Sequence, residues 1–241
     1  MSEHRSGAEE RGFGAEPAPD VWGIGRVVVD DTVTPWPVSA ADVDDEAVVA
    51  ADHLRSLGAG AGDFVLVVAL LSEAIHAVPL ERAAGLVGAL YSSADATAMD
   101  AFRTDYLIQQ LHPRAVIGIR DTVVTGLREN DRPLAQVFGS VDAIATADEG
   151  AWHALVDAGL SPRRWIKVGP TSALECAERS GLHIDGERWS AEIGDGEVLL
   201  TNRVPRLTPC DHLATGVRGT VTDDPCPCGR PGPRLLPSWS G

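Results

Sequence analysis

Apolar positions along the chain fall into runs and stripes whose spacing changes from one segment to the next. Gly25 to Val29 ends in a β-branched run, the pattern of a short strand. Asp30 to Asp45 carries Pro35, Pro37 and repeated Asp, which reads as a loop. From Glu46 to Leu57, the residues Val48, Val49, His53, Leu54 and Leu57 fall near one helical face. A glycine turn at Gly58–Asp63 leads into Phe64–Leu71, an unbroken apolar run typical of a strand buried on both faces. Glu73–Leu90 reads as a helix with a kink or late start at Pro79, and Ala89–Ser92 as a short strand. Ala98–Leu111 has helical spacing that turns Met99, Phe102, Tyr106, Leu107 and Ile108 inward, until His112–Pro113 stops it. Ala115–Ile119 is the next strand, and Asp121 N-caps a helix to Glu129. Val141–Ala145 (strand), Glu149–Ala158 (helix) and Trp165–Val168 (strand) continue the alternation. Strand–helix alternation at this pitch predicts an α/β class: a parallel sheet flanked by helices.

From Ser172 the helical period disappears. Short β-like runs at Leu182–Ile184, Arg188–Ile193, Glu197–Asn202 and Gly219–Val221 are separated by Gly-, Pro- and Asp-rich turns, and Gly229–Gly241 reads as a Pro-rich tail. The expected organisation is a tail over 1–20, an α/β core over 21–171, a β-rich portion over 172–236 and a tail over 237–241. No internal repeat is present.

Composition narrows the partners. The 241 residues carry 20 Lys+Arg against 35 Asp+Glu, a net charge of −15. Phosphate backbones repel such a chain, and no basic stripe interleaved with aromatics offsets this, so no nucleic-acid partner is expected. Aromatics are 5% of residues, so Ala, Val and Leu must fill the core. Lys167 is the only lysine, which leaves one candidate for any lysine chemistry. The first twenty residues lack an apolar signal region, and Phe64–Leu71 is far shorter than the roughly 20 residues of a membrane span. A soluble, cytoplasmic protein without a membrane partner is expected, its four cysteines thiols or metal ligands rather than disulfides.

Those cysteines form a pattern. Cys226-Pro227-Cys228-Gly229 places two thiolates on one Gly/Pro turn, and Cys176 and His183 lie across another turn upstream. Two ligand pairs on two turns build a four-coordinate zinc site from soft thiolates and an imidazole. Cys210 and His212 are rival ligands, and free thiols are the alternative.

Four ordered elements resemble phenylacetate–CoA ligases and their adenylate-forming relatives. They are Glu175-Cys176 with Gly181-Leu182-His183-Ile184, then Gly196-Glu197-Val198 through Thr201, then Pro209 with Thr215-Gly216, and Cys226-Pro227-Cys228-Gly229-Arg230 with Pro233-Arg234. Upstream, Leu54–Gly58, Glu81–Gly85 and His112-Pro113 match the same family's core, so the resemblance runs roughly from Val48 to Arg234. It implies an adenylate-forming N-domain fold and, because several members hold a structural metal there, Cys176, His183, Cys226 and Cys228 as ligands.

The departures concern ATP. The family holds nucleotide phosphates with a Ser/Thr/Gly-rich loop, S-S-G-T-T-G-K-P, through backbone N–H groups and hydroxyls. The matching stretch reads Asp30-Asp31-Thr32-Val33-Thr34-Pro35-Trp36-Pro37, with no Gly or Lys and with two carboxylates where phosphates would sit. That repulsion is on the order of 1 to 4 kcal/mol per pair at ~4 Å. The Y-G-x-[ST]-E motif is lost in either register, its Glu falling on Ile166 or Ser172. Val217 replaces the ribose-binding Asp of the T-G-D motif. Because the chain ends soon after the C-G-R turn, the mobile C-terminal domain and its catalytic lysine are expected to be absent, and Lys167 lies in the core sheet. ATP and Mg are therefore not expected as cofactors.

Ser72, Glu73 and His76 follow the buried strand, and ligands of open α/β sheets bind at strand carboxyl ends. The resemblance makes this region an acyl or aryl pocket, with Ser72, His76 and Gly169 as substrate-binding candidates. Ser72 and His76 are also the catalytic candidates, although a Ser–His pair needs a third orienting group. The alternative is that Ser72 N-caps the helix and His76 packs. Thr215, Gly216 and Arg218 read as a turn, and Asp42–Glu46 as a solvated helix start. The expected function is a non-adenylating homologue that binds an acyl or aryl acid or thioester, or an accessory protein, with structural zinc. The alternatives are an enzyme acting on a pre-activated acyl thioester without ATP, and one half of a split ligase. A homo-oligomer or a partner protein fits either setting.

Overall fold

The computed structural model describes residues 20–29 and 32–238. The expected tail over 1–19, the acidic pair Asp30-Asp31 and residues 239–241 lie outside the described residues.

The first difference from expectation comes early. Strand β1 (Gly23–Val29) pairs antiparallel with β2 (Thr32–Val38) across part of the stretch expected to be a loop. Val27, Trp36 and Val38 turn inward while Val28 and Val33 face out, an alternation the two prolines hide in the sequence. Pro35 and Pro37 are tolerated because β2 pairs only with β1 and keeps a free edge. Helix α1 (Ala40–Ser56) then starts well before Glu46, at a capping box. Ser39 Oγ accepts from Asp42 N–H at 3.1 Å, and Asp42 Oδ2 accepts from Ser39 N–H at 2.8 Å. Asp42 and Glu46 are consequently buried and not part of a solvated acidic face.

Five strands form a parallel array: β3 (Phe64–Ala69), β4 (Leu90–Asp95), β5 (Ala115–Ile119), β6 (Ala143–Thr146) and β7 (Arg163–Val168). Alternation within β3 divides the core. Val65 and Val67 pack toward α1 and α2 (Ala74–Leu86), and Leu66 and Val68 toward α3 (Ala101–Leu111), α4 (Asp121–Glu129), α5 (Leu134–Phe138) and α6 (Glu149–Asp157). A 3-10 turn, Leu71–Glu73, precedes α2, which begins at Ala74 and carries Pro79 inside it, so the late start expected from Pro79 does not occur.

Two helix details correct the sequence reading. Met99, Phe102 and Tyr106 are 89%, 63% and 61% exposed, while Ala101, Thr104, Asp105 and Ile108 are the buried residues of α3. The reason lies at Gly126 of α4, where a Cβ would stand 2.3 Å from Ala98 O and 2.8 Å from Ala101 Cβ. This close helix approach selects small residues inward and turns the aromatics out. Asp121 is the first residue of α4, not its cap, and its N–H donates to the Asp148 carboxylate at 3.0 Å. The short helix α5 had no expected counterpart.

The later strands extend the same sheet. β8 (Thr171–Glu175) turns back antiparallel on β7, and the order continues through β9 (Leu182–His183), β13 (Arg234–Pro237), β12 (Leu213–Thr222), β11 (Glu197–Asn202) and β10 (Trp189–Gly194). The result is an eleven-stranded mixed sheet. The expected tail from Gly229 thus contains β13, because Leu235 is apolar enough to bury beside Leu182 and Trp189. Glu46 ties α1 to this portion: it accepts from Thr171 Oγ1 (2.6 Å), Trp189 Nε1 (3.0 Å) and Arg206 Nη2 (2.8 Å).

Candidate functional site

Glu73 and His76 follow β3, and Lys167 and Gly169 lie at the end of β7, with β5 and β6 between the two strands in the sheet; β1 and β12 wall the space between them. The resulting cavity of about 310 Å³ is lined by Arg26, Glu73, His76, Lys167, Gly169 and Thr215 among others. It sits where open α/β sheets bind ligands, beyond strand carboxyl ends.

Glu73 is its hub. Its Oε1 accepts from Arg120 Nη2 at 2.8 Å and from Lys167 Nζ at close range. Burial alone raises the carboxyl, but the Lys167 hydrogen bond and the Lys167 and Arg120 charges outweigh it and hold Glu73 below the usual range. Burial and the neighbouring Arg120 charge push the Lys167 amine below its ordinary value, against the pull of Glu73. Among the described residues Arg26 has no carboxylate partner; its guanidinium donates to Ser72 Oγ at 2.6 Å. One carboxylate facing three cations makes this corner positive inside a chain of charge −15.

His76 Nε2 donates to Gly169 O at 3.0 Å, which leaves Nδ1 as the lone-pair nitrogen, buried and without a partner among the described residues. Burial, helped by Lys167, pushes its pKa down to about 4, so the ring is neutral near physiological pH. Gly169 adopts φ +56° in the β7–β8 turn, a conformation that aims its carbonyl at His76 and that a side chain would strain.

Of the residues expected from sequence, His76 and Gly169 meet in this cavity. Ser72 does not line it, is exposed in the 3-10 turn, caps no helix and makes no hydrogen bond to His76. The expected Ser–His pair is therefore not assembled: Ser72 faces Arg26, and the His76 Nε2 proton is committed to Gly169. Thr215 and Gly216 are not a turn but part of β12 at the cavity wall, where Thr215 Oγ1 donates to Val198 O at 2.7 Å. Arg26, Arg120 and the Glu73–Lys167 pair carried no local signal. Glu73 and Lys167 lie 94 residues apart, and only the uniqueness of Lys167 marked it out. A larger, open groove of about 800 Å³ between α2 and α3, lined by Leu71, Met99 and Phe102, holds none of the expected site residues.

The second site is the Cys/His cluster. Cys176 follows β8, His183 lies in β9 and Cys226 and Cys228 occupy the turn before β13. Their ligand atoms all lie within 4.8 Å of one another, with Cys176 Sγ to Cys226 Sγ at 3.7 Å and Cys228 Sγ to His183 Nε2 at 3.3 Å. A tetrahedral zinc separates two sulfurs by about 3.8 Å and a sulfur from an imidazole nitrogen by about 3.6 Å, so the donor set fits such an ion. Burial, then the Arg230 charge, lower the His183 pKa to about 4, which keeps the ring neutral as a ligand must be. The rivals stand apart: Cys210 N–H donates to Asn202 Oδ1 at 2.7 Å, and exposed His212 contacts Asp211 at 2.7 Å. The four residues can hold a metal ion.

No protein-family profile matches the chain, and no curated protein matches it by sequence. Solved structures do. A 2-hydroxyisobutyryl-CoA ligase in complex with 2-HIB-AMP and CoA superposes with a TM-score of 0.72 at 19% identity, over 91% of this chain and 57% of that one. The anthranilate CoA ligase AuaEII with anthranoyl-AMP gives 0.57 at 15% identity, over 85% and 46%. The Klebsiella oxytoca NpsA N-terminal subdomain, in complex with 3-hydroxyanthranilyl-AMSN, gives 0.53 at 12% identity, over 88% and 57%. The chain spans about half the length of these ligase chains. It has the fold of the corresponding part of the adenylate-forming acyl- and aryl-CoA ligases, as the sequence resemblance implied. No helix among the described residues is long and apolar enough to cross a membrane.

Proposed function

We propose that this chain binds a small acyl or aryl carboxylate, or its thioester, in the Arg26–Glu73–His76–Lys167 cavity without adenylating it. The observation that carries the reading is the β1–β2 hairpin. Val29 pairs with Thr32, so only Asp30 and Asp31 separate the strands in sequence, within the stretch that the resemblance matches to the family's phosphate loop. A loop that wraps phosphates with successive backbone N–H groups needs more residues than two, and residues without negative charge. Val217, at the position of the ribose-binding Asp, supports the same reading. The cavity keeps what an organic anion needs: Arg26 and Lys167 for the carboxylate, and Val27, Val28 and Val217 for an apolar body. The ligases sharing the fold carry acyl- or aryl-adenylates, which is consistent with an acyl or aryl ligand here.

In this reading Cys176, His183, Cys226 and Cys228 hold a structural zinc that staples the β-rich portion 172–236, an ion that contributes folding energy and no chemistry at the cavity. Titration calorimetry with ATP·Mg is expected to give no saturable heat, and saturable binding would overturn the non-adenylating assignment. Thermal shift with phenylacetate, benzoate and acyl-CoAs is expected to raise Tm for at least one of them. A flat response across that set would remove the acid-binding reading.

A further inference from the structure

Lys167 is the chain's only side-chain amine, and it lines a partly open cavity with its side chain 28% exposed, beside a nearly buried carboxylate. We infer that Lys167 captures 2-oxo acids as a protonated imine, with Glu73 moving the protons and Arg26 holding the carboxylate. The inference rests on the cavity being an organic-anion site and adds a covalent step to it.

The arrangement supplies each part. An amine among cationic neighbours in a partly dry site loses its proton more readily than one in water, and Arg120 and Arg26 are those neighbours. Glu73 Oε1 already holds the Lys167 ammonium, so the proton has an acceptor in place. Arg26 lacks a carboxylate partner among the described residues and offers its charge to an incoming one. A 2-oxo acid sets its carboxylate and carbonyl on adjacent carbons, the spacing that two neighbouring cationic side chains select.

The step balances. Lys167 passes a proton to Glu73, and the freed amine lone pair attacks the 2-oxo carbon while the carbonyl π pair moves to oxygen. Proton exchange through Glu73 gives the neutral carbinolamine. Glu73 then protonates the departing hydroxyl, which leaves as water while the nitrogen lone pair forms the C=N bond. An ammonium and a ketone become an iminium and water, with one positive charge on each side and no oxidant or reductant consumed.

The test is reductive trapping of the full chain with sodium phenylpyruvate or sodium pyruvate and cyanoborohydride, read by intact mass and peptide mapping. The expected result is a saturable adduct at Lys167, forming at least about tenfold faster than at the Met1 α-amino group and than with acetone. Arg26→Ala is expected to raise the half-saturating concentration about tenfold, and Lys167→Arg to remove the mapped adduct. An adduct confined to Met1, or Lys167 labelling that is linear in concentration and equal with acetone, overturns the inference. Phenylacetate, which has the carboxylate but no oxo group, separates the two levels. If it raises Tm while no trapping occurs, the imine is wrong and the binding site stands. If neither is seen, both fall.

Discussion

Glu73 shows how one carboxylate sets the chemistry of a cavity. It is bound by two cations, and this leaves Arg26 as the positive group facing outward. His76, packed among Glu73, Lys167, Arg120 and the Gly169 carbonyl, has its pKa depressed from 6.5 to about 4. A depressed histidine binds fewer protons folded than unfolded, so its contribution to stability is present above 6.5 and is lost as pH falls toward 4. His76→Gln is therefore expected to flatten the stability–pH curve in that window by about 2–3 kcal/mol. Denaturant melts at several pH values check it, and parallel curves for the two proteins would refute it. Glu46 makes a second residue-scale case. Among the described residues, Glu46→Gln leaves Arg206, 4% exposed, with only Asp42 at 3.9 Å as a charged partner, and it is expected to cost about 3 kcal/mol in urea unfolding.

At the scale of elements, local signals and tertiary demands diverge in a consistent way. Helix α1 is specified by its own cap, so Ser39→Ala is expected to lower stability by about 1 kcal/mol, measured by chemical denaturation. Strand β2 was hidden by its prolines and is made by pairing with β1. The face of α3 followed from the Gly126 contact with Ala98 and Ala101, which no period within α3 announces. The Cys226–Cys228 turn belongs to the opposite case, since its spacing was legible as half of a metal site. Cys176→Ser is expected to drop zinc, by elemental analysis, below about half an equivalent per chain, the wild type holding about one. Retention of a full equivalent in that variant would mean the ion is held elsewhere.

For the whole molecule, the Cys/His cluster joins β8, β9 and the turn before β13, which are brought together only when the last strands lie on the sheet. Chelation is accordingly expected to speed hydrogen exchange in β8, β9 and β13 at least about tenfold while β3 and β5 keep their protection. Uniform loosening across both groups would count against a local staple.

The sequence by itself determined the strand–helix alternation, the parallel core of the sheet and the four Cys and His residues that could hold a metal ion. Each of these is written in local spacing, residue type or motif. Tertiary structure alone decided the β1–β2 hairpin, the docking of the C-terminal strands onto the same sheet, the inward face of α3 and the separation of Ser72 from His76. It also decided the meeting of Arg26, Glu73, Arg120 and Lys167. These depend on contacts between residues far apart in the chain, where a hydrogen bond or an ion pair leaves no trace in the periodicity of either partner. Lys167 joins the two accounts: the sequence marked it as the only lysine, and the fold gave that lysine a carboxylate, cationic neighbours and a cavity.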